Sequence, residues 1–192
     1  MDKLTERTEI LTEKIRDLSE KSKNTVSIIA IEGRCASGKT TLSKRLSEKL
    51  GCGVIHMDDF FLPPKLRTQE RFAQAGGNIH FERFAEEVLP RLAGRESFSY
   101  RRFDCKSMKF GEERVIPEGE LRIVEGAYSC HPRFGDYMTL RVFCDVEYKE
   151  QLKRIENRNG LQAVSVFRER WIPMEEKYFE AFSVRERADI VI

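Results

Sequence analysis

The residues most capable of chemistry form a short segment punctuated by two glycines. Its spacing, G-x-x-x-x-G-K-[ST], suits phosphates because the glycines let consecutive N–H groups point at one anion, and a following helix adds its positive N-terminal end. Lys39 would reach the β and γ phosphates, and the Thr40 hydroxyl would ligate Mg²⁺. We therefore predict that ATP binds at Gly33, Arg34, Cys35, Ala36, Ser37, Gly38, Lys39, Thr40 and Thr41.

Phosphate-binding loops of this kind occur in kinases, GTPases and motor ATPases, so the loop indicates the ligand but not the reaction. A GTPase would also carry an Asn-Lys-x-Asp motif that reads guanine, and the sequence has none. The reaction must therefore be inferred from residues elsewhere in the chain.

Two acidic positions follow short apolar segments. Asp58 and Asp59 come after residues 54–57, and Glu125 comes after residues 121–124. In an open parallel sheet the carboxyl ends of the strands line the ligand crevice, so Asp58 could accept a proton from a hydroxyl that attacks a γ-phosphate. Glu125 could support Mg²⁺ at the same edge. The alternatives are a turn or cap carboxylate for Asp58 and a structural acid for Glu125.

Hydrophobic periodicity predicts the elements that position these residues. Apolar β-branched runs predict buried strands, and apolar residues spaced by three or four predict helices. Because strands and helices alternate, we expect a three-layer α/β sandwich around a mainly parallel sheet. Strands are predicted at residues 25–32, 54–57, 98–103, 121–124, 140–146 and 188–192, and helices at 40–50, 81–92, 147–157 and 164–182. Residues 60–78 contain Pro63-Pro64 and Gly76-Gly77 and are predicted to be irregular, and residues 104–120 hold the candidate hairpin partner of the third strand.

A separate amphipathic helix is predicted over residues 1–23, ahead of a single domain at residues 24–192. Its apolar residues recur at helical spacing, and the pattern breaks at Ser22-Lys23-Asn24. We expect this helix to pack against the domain or against a second subunit, which leaves a homo-oligomer open.

Composition limits the class of protein. The chain of 192 residues is 40% hydrophobic and 34% charged, which is typical of a soluble single domain. Its net charge of +2 does not indicate a nucleic-acid partner, and no apolar run reaches the ~18 residues of a membrane helix. The N-terminus lacks the apolar region of a secretory signal. The five cysteines are scattered and the three histidines have no metal-ligand spacing, so we expect reduced thiols in a cytoplasmic protein.

Several motifs together resemble one family. The loop at residues 33–40, the Met-Asp-Asp-Phe-Phe run at 57–61, the Val-Glu-Gly run at 124–126 and an arginine-bearing helix are similar to the uridine kinase-like branch of the P-loop kinases. The resemblance covers residues 26–192. It implies a P-loop kinase fold and transfer of the γ-phosphate of ATP to a hydroxyl of a small molecule, first of all a nucleoside.

The resemblance also implies roles for single residues. Asp58 corresponds to the proposed base, and Phe61 belongs to an Asp-Asp-Phe-Phe element that is closest to the nicotinamide riboside kinases. Glu125 corresponds to the residue that supports the metal and the substrate. These three residues are therefore expected at the acceptor end of the site.

An arginine-bearing lid is a further implication of the resemblance, over about residues 154–172. Arg154 and Arg158 lie one helical turn apart and so share one face of the helix. In the family such arginines clamp the transferring phosphoryl group, a task that suits the planar, permanently charged guanidinium. Arg168 and Arg170 are left open between lid contacts and solvated surface residues.

The substrate-reading positions depart from the uridine kinase pattern. His80 stands where those kinases have an Asp for the ribose hydroxyls, and Phe103 and Met108 stand where a Tyr and a His contact the base. Tyr128 follows Glu125 at the expected mouth of the site, with packing as its alternative role. Because one lost polar contact can change discrimination by orders of magnitude, the acceptor stays open between a nucleoside and a vitamin or sugar derivative. From another class, a nucleotide-dependent switch or binding protein is the alternative.

Overall fold

The centre of the molecule is a parallel β-sheet. The structure is a computed structural model that describes residues 2–22 and 25–192. The strands are β1 Ser27–Gly33, β2 Gly53–His56, β3 Phe98–Asp104, β4 Lys109–Ile116, β5 Leu121–Glu125, β6 Leu140–Cys144 and β7 Ile190–Val191. Five of them form one sheet in the order β2-β5-β1-β6-β7, and every neighbouring pair is parallel. The predicted parallel sheet is thus confirmed.

The remaining two strands, β3 and β4, pair antiparallel and form a sheet of their own. The register shifts between Arg101 and Phe103, where one residue of β3 stands opposite two residues of β4, which marks a bulge in β4. The hairpin partner predicted within residues 104–120 is therefore β4.

Helices cover both faces of the parallel sheet. They are α1 Lys3–Lys21, α2 Lys39–Leu50, α3 Gln69–Ala73, α4 Phe81–Glu87, α5 Leu89–Leu92, α6 Tyr148–Asn159, α7 Leu161–Val166 and α8 Ile172–Phe182, with a π-helix at Phe167–Trp171 between the last two. Within the described ranges, none of these helices is long and apolar enough to cross a membrane.

Three predicted segments differ from the observed ones. The helix predicted at 164–182 begins at Leu161 and is interrupted by the π-helix. The stretch 60–78, predicted to be irregular, contains α3, whose start is capped by the Thr68 hydroxyl at 3.1 Å from the Arg71 N–H. The predicted helix 81–92 divides at Val88, because Pro90 at the start of the next helix has no N–H to donate to the preceding turn. The Thr68 cap thus overrides the Pro and Gly content of residues 60–78, and the missing donor of Pro90 overrides the apolar spacing of residues 81–92.

Apolar side chains fill a layer on each face of the sheet. On one face, Ile29 and Ile31 of β1 pack with a cluster that includes Leu11 of α1 and Leu42 of α2. On the other face, alternating sheet residues pack with aromatic residues that include Phe60, Phe84, Phe143, Tyr178 and Phe179. This arrangement is the three-layer α/β sandwich that the sequence predicts.

The N-terminal helix α1 lies against the domain. Its inward face buries Thr8, Leu11, Thr12 and Ile15, and Asp2 caps its start by accepting the Thr5 N–H at 2.8 Å. The Arg45 guanidinium of α2 donates to the Thr5 hydroxyl at 3.1 Å. The predicted break at Ser22-Lys23-Asn24 and the domain boundary at residue 24 fall on Lys23 and Asn24, which lie outside the described residues.

The carboxyl ends of β1, β2 and β5 meet at one edge of the sheet. In the strand register Glu125 lies beside Ile31 on one side and beside His56 on the other. The loop that follows β1 and the turn that follows β2 therefore begin next to Glu125. This edge is where the predicted site residues can come together.

A buried carboxylate ties this edge to the rest of the fold. Glu32 is 1% exposed and accepts N–H bonds from Gly33, Tyr128 and Cys130, each at 3.0 Å. It also accepts from the Tyr178 hydroxyl at 3.0 Å. One side chain thus fixes the end of β1, the loop after β5 and α8 relative to one another.

We expect Glu32→Gln to destabilise the protein. The new amide group would turn a donor toward N–H groups that now bind a carboxylate, which leaves buried donors unpaired at a cost of about 2–4 kcal/mol. The free energy of unfolding from urea titration measures this. The control is Glu48→Gln, because Glu48 is an exposed residue paired with Lys44 at 3.9 Å, and a change below about 0.5 kcal/mol is expected there. Equal stabilities for Glu32→Gln and the wild type would contradict the role of Glu32.

Candidate functional site

The backbone of the loop at residues 33–40 curls at three left-handed positions. Gly33 has φ +134°, Ala36 has φ 58° and Gly38 has φ 101°. A Cβ on Gly33 would lie 2.2 Å from the carbonyl oxygen of Cys144, so a larger residue cannot be accommodated there. Helix α2 begins directly after Gly38. Consecutive N–H groups and the start of a helix therefore surround one concave surface, which is an arrangement that binds anions.

Two polar side chains of this loop can bind phosphate oxygens. Lys39 is 8% exposed, and its Nζ donates to the carbonyl oxygens of Gly33 at 2.7 Å and Arg34 at 2.8 Å. The Ser37 hydroxyl is buried and has no hydrogen-bond partner among the described residues. A buried hydroxyl without a partner is costly, and an anion in the loop would satisfy it.

Carboxylates of α8 contact the same loop. The Cys35 N–H donates to Oε2 of Glu175 at 2.8 Å. The Arg34 guanidinium makes a two-pronged contact with Glu176, at 2.7 and 2.9 Å, and pairs with Asp145. Arg34 is thus bound by protein carboxylates, so its predicted contact with ATP stays a prediction.

Burial controls the charge of two groups at the loop. It raises the pKa of the Cys35 thiol to about 12, and the nearby Glu175 carboxylate adds to the increase. It also raises the pKa of Glu175 to about 7, against the lowering effect of Lys39 and of the Cys35 N–H. Cys35 is therefore a neutral thiol at physiological pH, whereas Glu175 titrates near it.

The residues predicted to hold a metal lie next to each other. The Thr40 hydroxyl is 3.3 Å from Oε1 of Glu125, whose side chain is buried. His56, at the end of β2, brings its Nδ1 to 2.7 Å from the same oxygen. In the part of the chain that the structure describes, no group of three His, Cys, Asp or Glu side chains could hold a metal. One hydroxyl and one carboxylate fit Mg²⁺, which in nucleotide enzymes takes its other ligands from phosphates and water.

The two adjacent aspartates have different surroundings. Asp58 is exposed to solvent in the 3-10 turn Met57–Phe60 after β2. Nearby protein atoms partly desolvate its carboxylate and raise its pKa, and the charge of Glu125 raises it further. Asp59 is buried and accepts from the Tyr100 hydroxyl at 3.0 Å, and it pairs with Arg114 at 2.5 Å. Asp59 therefore anchors the β3–β4 hairpin, and Asp58 is the carboxylate that a ligand can reach.

The predicted acceptor residues are spread between core and surface. Phe103 is 2% exposed and packs on Phe110, and Tyr128 is 2% exposed with its ring 4.8 Å from that of Tyr178. Met108 is 40% exposed at the turn of the hairpin. Because Phe103 and Tyr128 are packed in the core, contact between their side chains and a substrate stays a prediction.

Two further predicted acceptor residues have backbone roles. His80 caps α4, with its Nδ1 3.3 Å from the Arg83 N–H, and burial lowers its pKa. Phe61 is half-buried, and its backbone bridges to that of Ile79. Both residues therefore shape the segment between Asp58 and α4, and their contact with a substrate also stays a prediction.

The predicted lid at residues 154–172 runs from α6 through α7 and the π-helix into α8. Arg154 pairs with Glu150 at 2.8 Å and donates to the Ala36 carbonyl oxygen at 3.3 Å, which places it at the phosphate loop. The Arg158 guanidinium donates to Asn159 at 2.8 Å and lies over the Phe167 ring. Of the two arginines, only Arg154 contacts the loop among the described residues.

The other two arginines of this region have different partners. Arg168 pairs with Glu169 at 3.3 Å on the surface. Arg170 lies over the rings of Phe72 at 5.1 Å and Trp171 at 4.6 Å, so it connects the lid to α3. The π-helix that carries both residues widens the helical turn and redirects its side chains.

Some residues of the site were not predicted. His56, Glu32, Glu175 and Glu176 carry no local sequence motif, and their partners lie far away in the chain. The only available signal is position, because His56 and Glu32 end strands whose carboxyl ends meet at this edge.

Comparison with solved structures identifies the fold. The chain is similar to a protein described as "putative fructose transport system kinase from Silicibacter sp. TM1040", with a TM-score of 0.70, 20% identity, and 96% of this chain and 98% of that chain covered. It is also similar to a "possible uridine kinase" from Bacillus stearothermophilus, with a TM-score of 0.65, 20% identity, and coverage of 95% and 98%. The predicted fold is thus confirmed, because this chain shares the three-layer α/β sandwich of these two proteins over nearly its whole length.

Comparison by sequence identifies no related protein. No family model matches the chain, and no curated protein matches its sequence. At 20% identity the structural likenesses establish the fold, and the chemistry must be argued from the residues of this chain.

We expect Glu175→Gln to change how ATP affinity depends on pH. A triphosphate in the loop adds negative charge beside Glu175, so binding favours the protonated carboxyl and takes up a proton. The wild type should therefore bind ATP more weakly as the pH rises through about 7, by at most about tenfold per pH unit. The variant cannot ionise and should bind more tightly above this pH, with a flatter profile.

Calorimetric titration of ATP and Mg²⁺ between about pH 6 and about pH 8 measures this difference. The titration of ATP itself is common to both proteins and cancels in the comparison. Glu180→Gln is the control, because Glu180 is an exposed residue of the same helix. Equal slopes for the wild type and Glu175→Gln would show that Glu175 does not compete with phosphate.

Proposed function

We propose that the protein is an ATP-dependent kinase that transfers the γ-phosphate to a hydroxyl of a small molecule. One observation carries this proposal: the phosphate loop, the Thr40–Glu125 pair and the solvent-exposed Asp58 meet at one edge of the sheet. Both structurally similar proteins are described as kinases, which supports the same class of reaction.

The donor side of the site follows from the loop. Its N–H groups, the Lys39 ammonium and the Ser37 hydroxyl bind the phosphates of ATP. Thr40 and Glu125 would hold Mg²⁺, which when bound neutralises charge on the β and γ phosphates. These groups position the γ-phosphate at the edge where Asp58 lies.

The transfer step uses Asp58 as a general base. The oxygen of the acceptor hydroxyl attacks the γ-phosphorus in line, the bond from that phosphorus to the bridging oxygen breaks, and ADP leaves. The hydroxyl proton passes to the Asp58 carboxylate. The raised pKa of Asp58 suits this role, because a more basic carboxylate accepts the proton more readily.

Arginines of the lid stabilise the charge of the transferring group. Arg154 already donates to the loop at Ala36, so a small movement would bring its guanidinium to the phosphate. Arg158 shares its helix face, and closure of residues 154–172 over the site would bring it to the same group. Closure would also exclude water and so favour the acceptor hydroxyl over hydrolysis.

The acceptor is a hydroxyl compound that belongs to one of two classes, nucleosides or non-nucleosides. The resemblance to the uridine kinases favours a nucleoside as the acceptor. A non-nucleoside acceptor, such as a vitamin or sugar derivative, is favoured by the burial of Phe103 and by the capping role of His80. Both observations leave fewer polar groups for a ribose and a base than a nucleoside site needs.

The cellular context is part of the proposal. The five cysteines are free thiols, which suits the reducing cytoplasm.

Ile10 on the outer face of α1 is 54% exposed, and a homo-oligomer through this helix is an untested prediction. A nucleotide-dependent switch stays the alternative from another class, and Asp58 argues against it because a switch needs no acceptor base.

We expect Asp58→Asn to lower acceptor-dependent turnover by at least about 100-fold, because the asparagine cannot take the hydroxyl proton. ATP affinity should change little, since the loop is intact. ADP production is measured with and without uridine, cytidine, nicotinamide riboside and pantothenate, and ATP binding is measured separately.

Asp136→Asn is the control for this prediction, because Asp136 is 77% exposed and pairs with Arg141 away from the loop. Its turnover should match that of the wild type. ADP production that no acceptor increases, and that Asp58→Asn leaves unchanged, would favour the switch over the kinase.

A further inference from the structure

Arg67 lies on the acceptor side of the site. It ends the 3-10 turn Pro64–Leu66, in the segment that continues from Asp58. Its Nε donates to the Leu62 carbonyl oxygen at 2.7 Å, and its Nη2 lies 3.8 Å from Sγ of Cys105. The guanidinium is thus held between the segment after β2 and the end of the β3–β4 hairpin.

The β3–β4 hairpin connects Arg67 to the segment of the proposed base, because Cys105 contacts Arg67 and Tyr100 donates to Asp59, the neighbour of Asp58. The Cys105 thiol is half-buried, and burial raises its pKa. The charge of Arg67 lowers that pKa, and the charge of Asp58 raises it. The contacts of the hairpin thus place Arg67 and Asp58 on the one segment, after β2, that packs against it.

Carboxylate partners distinguish Arg67 from other arginines on this side of the molecule. The ion pairs are Arg71–Glu82 at 2.9 Å, Arg83–Glu87 at 2.7 Å, Arg102–Asp59 at 3.4 Å and Arg114–Asp59 at 2.5 Å. Over residues 2–22 and 25–192, no carboxylate lies within ion-pair distance of Arg67. Its position is fixed by a backbone carbonyl, and no ion pair among the described residues occupies its guanidinium.

We propose that Arg67 binds an anionic group of the acceptor, so that the substrate is a hydroxyl compound carrying a carboxylate or a phosphate. The inference rests on the proposed kinase function and names the substrate class of the same site. A guanidinium that is held in place and lacks a carboxylate loses little freedom when it binds an anion, and its planar fork matches both carboxylate and phosphate oxygens. The acceptor would then bind by its anion at Arg67 and present its hydroxyl to Asp58.

Binding of matched compounds tests this assignment without turnover. Calorimetry in the presence of Mg²⁺ and a non-transferable ATP analogue compares each neutral compound with its anionic counterparts. The sets are glycerol, glycerate and glycerol 3-phosphate; ribose, ribonate and ribose 5-phosphate; and pantothenol and pantothenate. We expect at least one anionic member to bind about 10- to 100-fold more tightly than its neutral counterpart. Comparison within a set distinguishes a carboxylate from a phosphate.

Variants of Arg67 assign the preference to this side chain. Arg67→Gln should remove the preference for the anion, and Arg67→Lys should keep part of it because the charge remains. Arg101→Gln is the control: Arg101 is an exposed arginine of the hairpin that lies over Phe110 at 5.0 Å, and its loss should leave the preference intact. Thermal unfolding of each variant verifies that the fold is retained.

The outcomes separate this inference from the proposed function. Equal binding of neutral and anionic members by the wild type, or a preference that survives in Arg67→Gln, overturns the inference. If Arg67→Gln loses the binding of neutral and anionic compounds alike, the inference is also overturned, because Arg67 would then position Asp58 or stabilise the fold instead of binding an anion. If the preference for anions depends on Arg67 but no compound increases ADP production, the proposed kinase function is overturned and the anion-binding role of Arg67 stands.

Discussion

The buried carboxylate of Glu32 is the contact on which the arrangement of the site depends. It ends the strand that leads into the phosphate loop, and it binds the backbone of Tyr128 and Cys130 and the hydroxyl of Tyr178. Since Tyr178 belongs to α8, this contact also determines where Glu175 and Glu176 meet the loop. A single buried carboxyl group, surrounded by hydrogen-bond donors, thus sets the positions of three separate segments.

The phosphate loop binds oxygens of the protein itself in this structure. Lys39 binds two carbonyl oxygens, Arg34 binds Glu176 and Asp145, and the Cys35 N–H binds Glu175. Phosphate binding therefore exchanges one set of oxygens for another, and only the difference between the two sets appears as affinity. The same exchange can turn Arg34 or Lys39 toward a ligand without a change in the strands that carry the loop.

Local features of the sequence predicted the parallel sheet, the hairpin and the phosphate loop, because strand runs and glycine spacing act over a few residues. The approach of Thr40 to Glu125 also followed, since strand ends share an edge. The contacts of His56, Glu175 and Arg67 join segments that no periodicity connects, so they required coordinates. Residue type alone likewise could not show which aromatic side chains are buried: Phe103, expected at a position that contacts the base, is 2% exposed and packs on Phe110.

The anchoring of the hairpin by Asp59 has a mechanical consequence. Asp58 and Asp59 are joined by one peptide bond, and the second of them carries the contacts to Tyr100 and Arg114. Any displacement of the hairpin is therefore transmitted to the neighbouring, solvent-exposed carboxylate of Asp58. A lineage that adapts this hairpin to a new small molecule has to conserve the partners of Asp59 while it varies the remaining side chains. Otherwise a substitution in the hairpin that changes substrate recognition would also displace Asp58 and so change its reactivity.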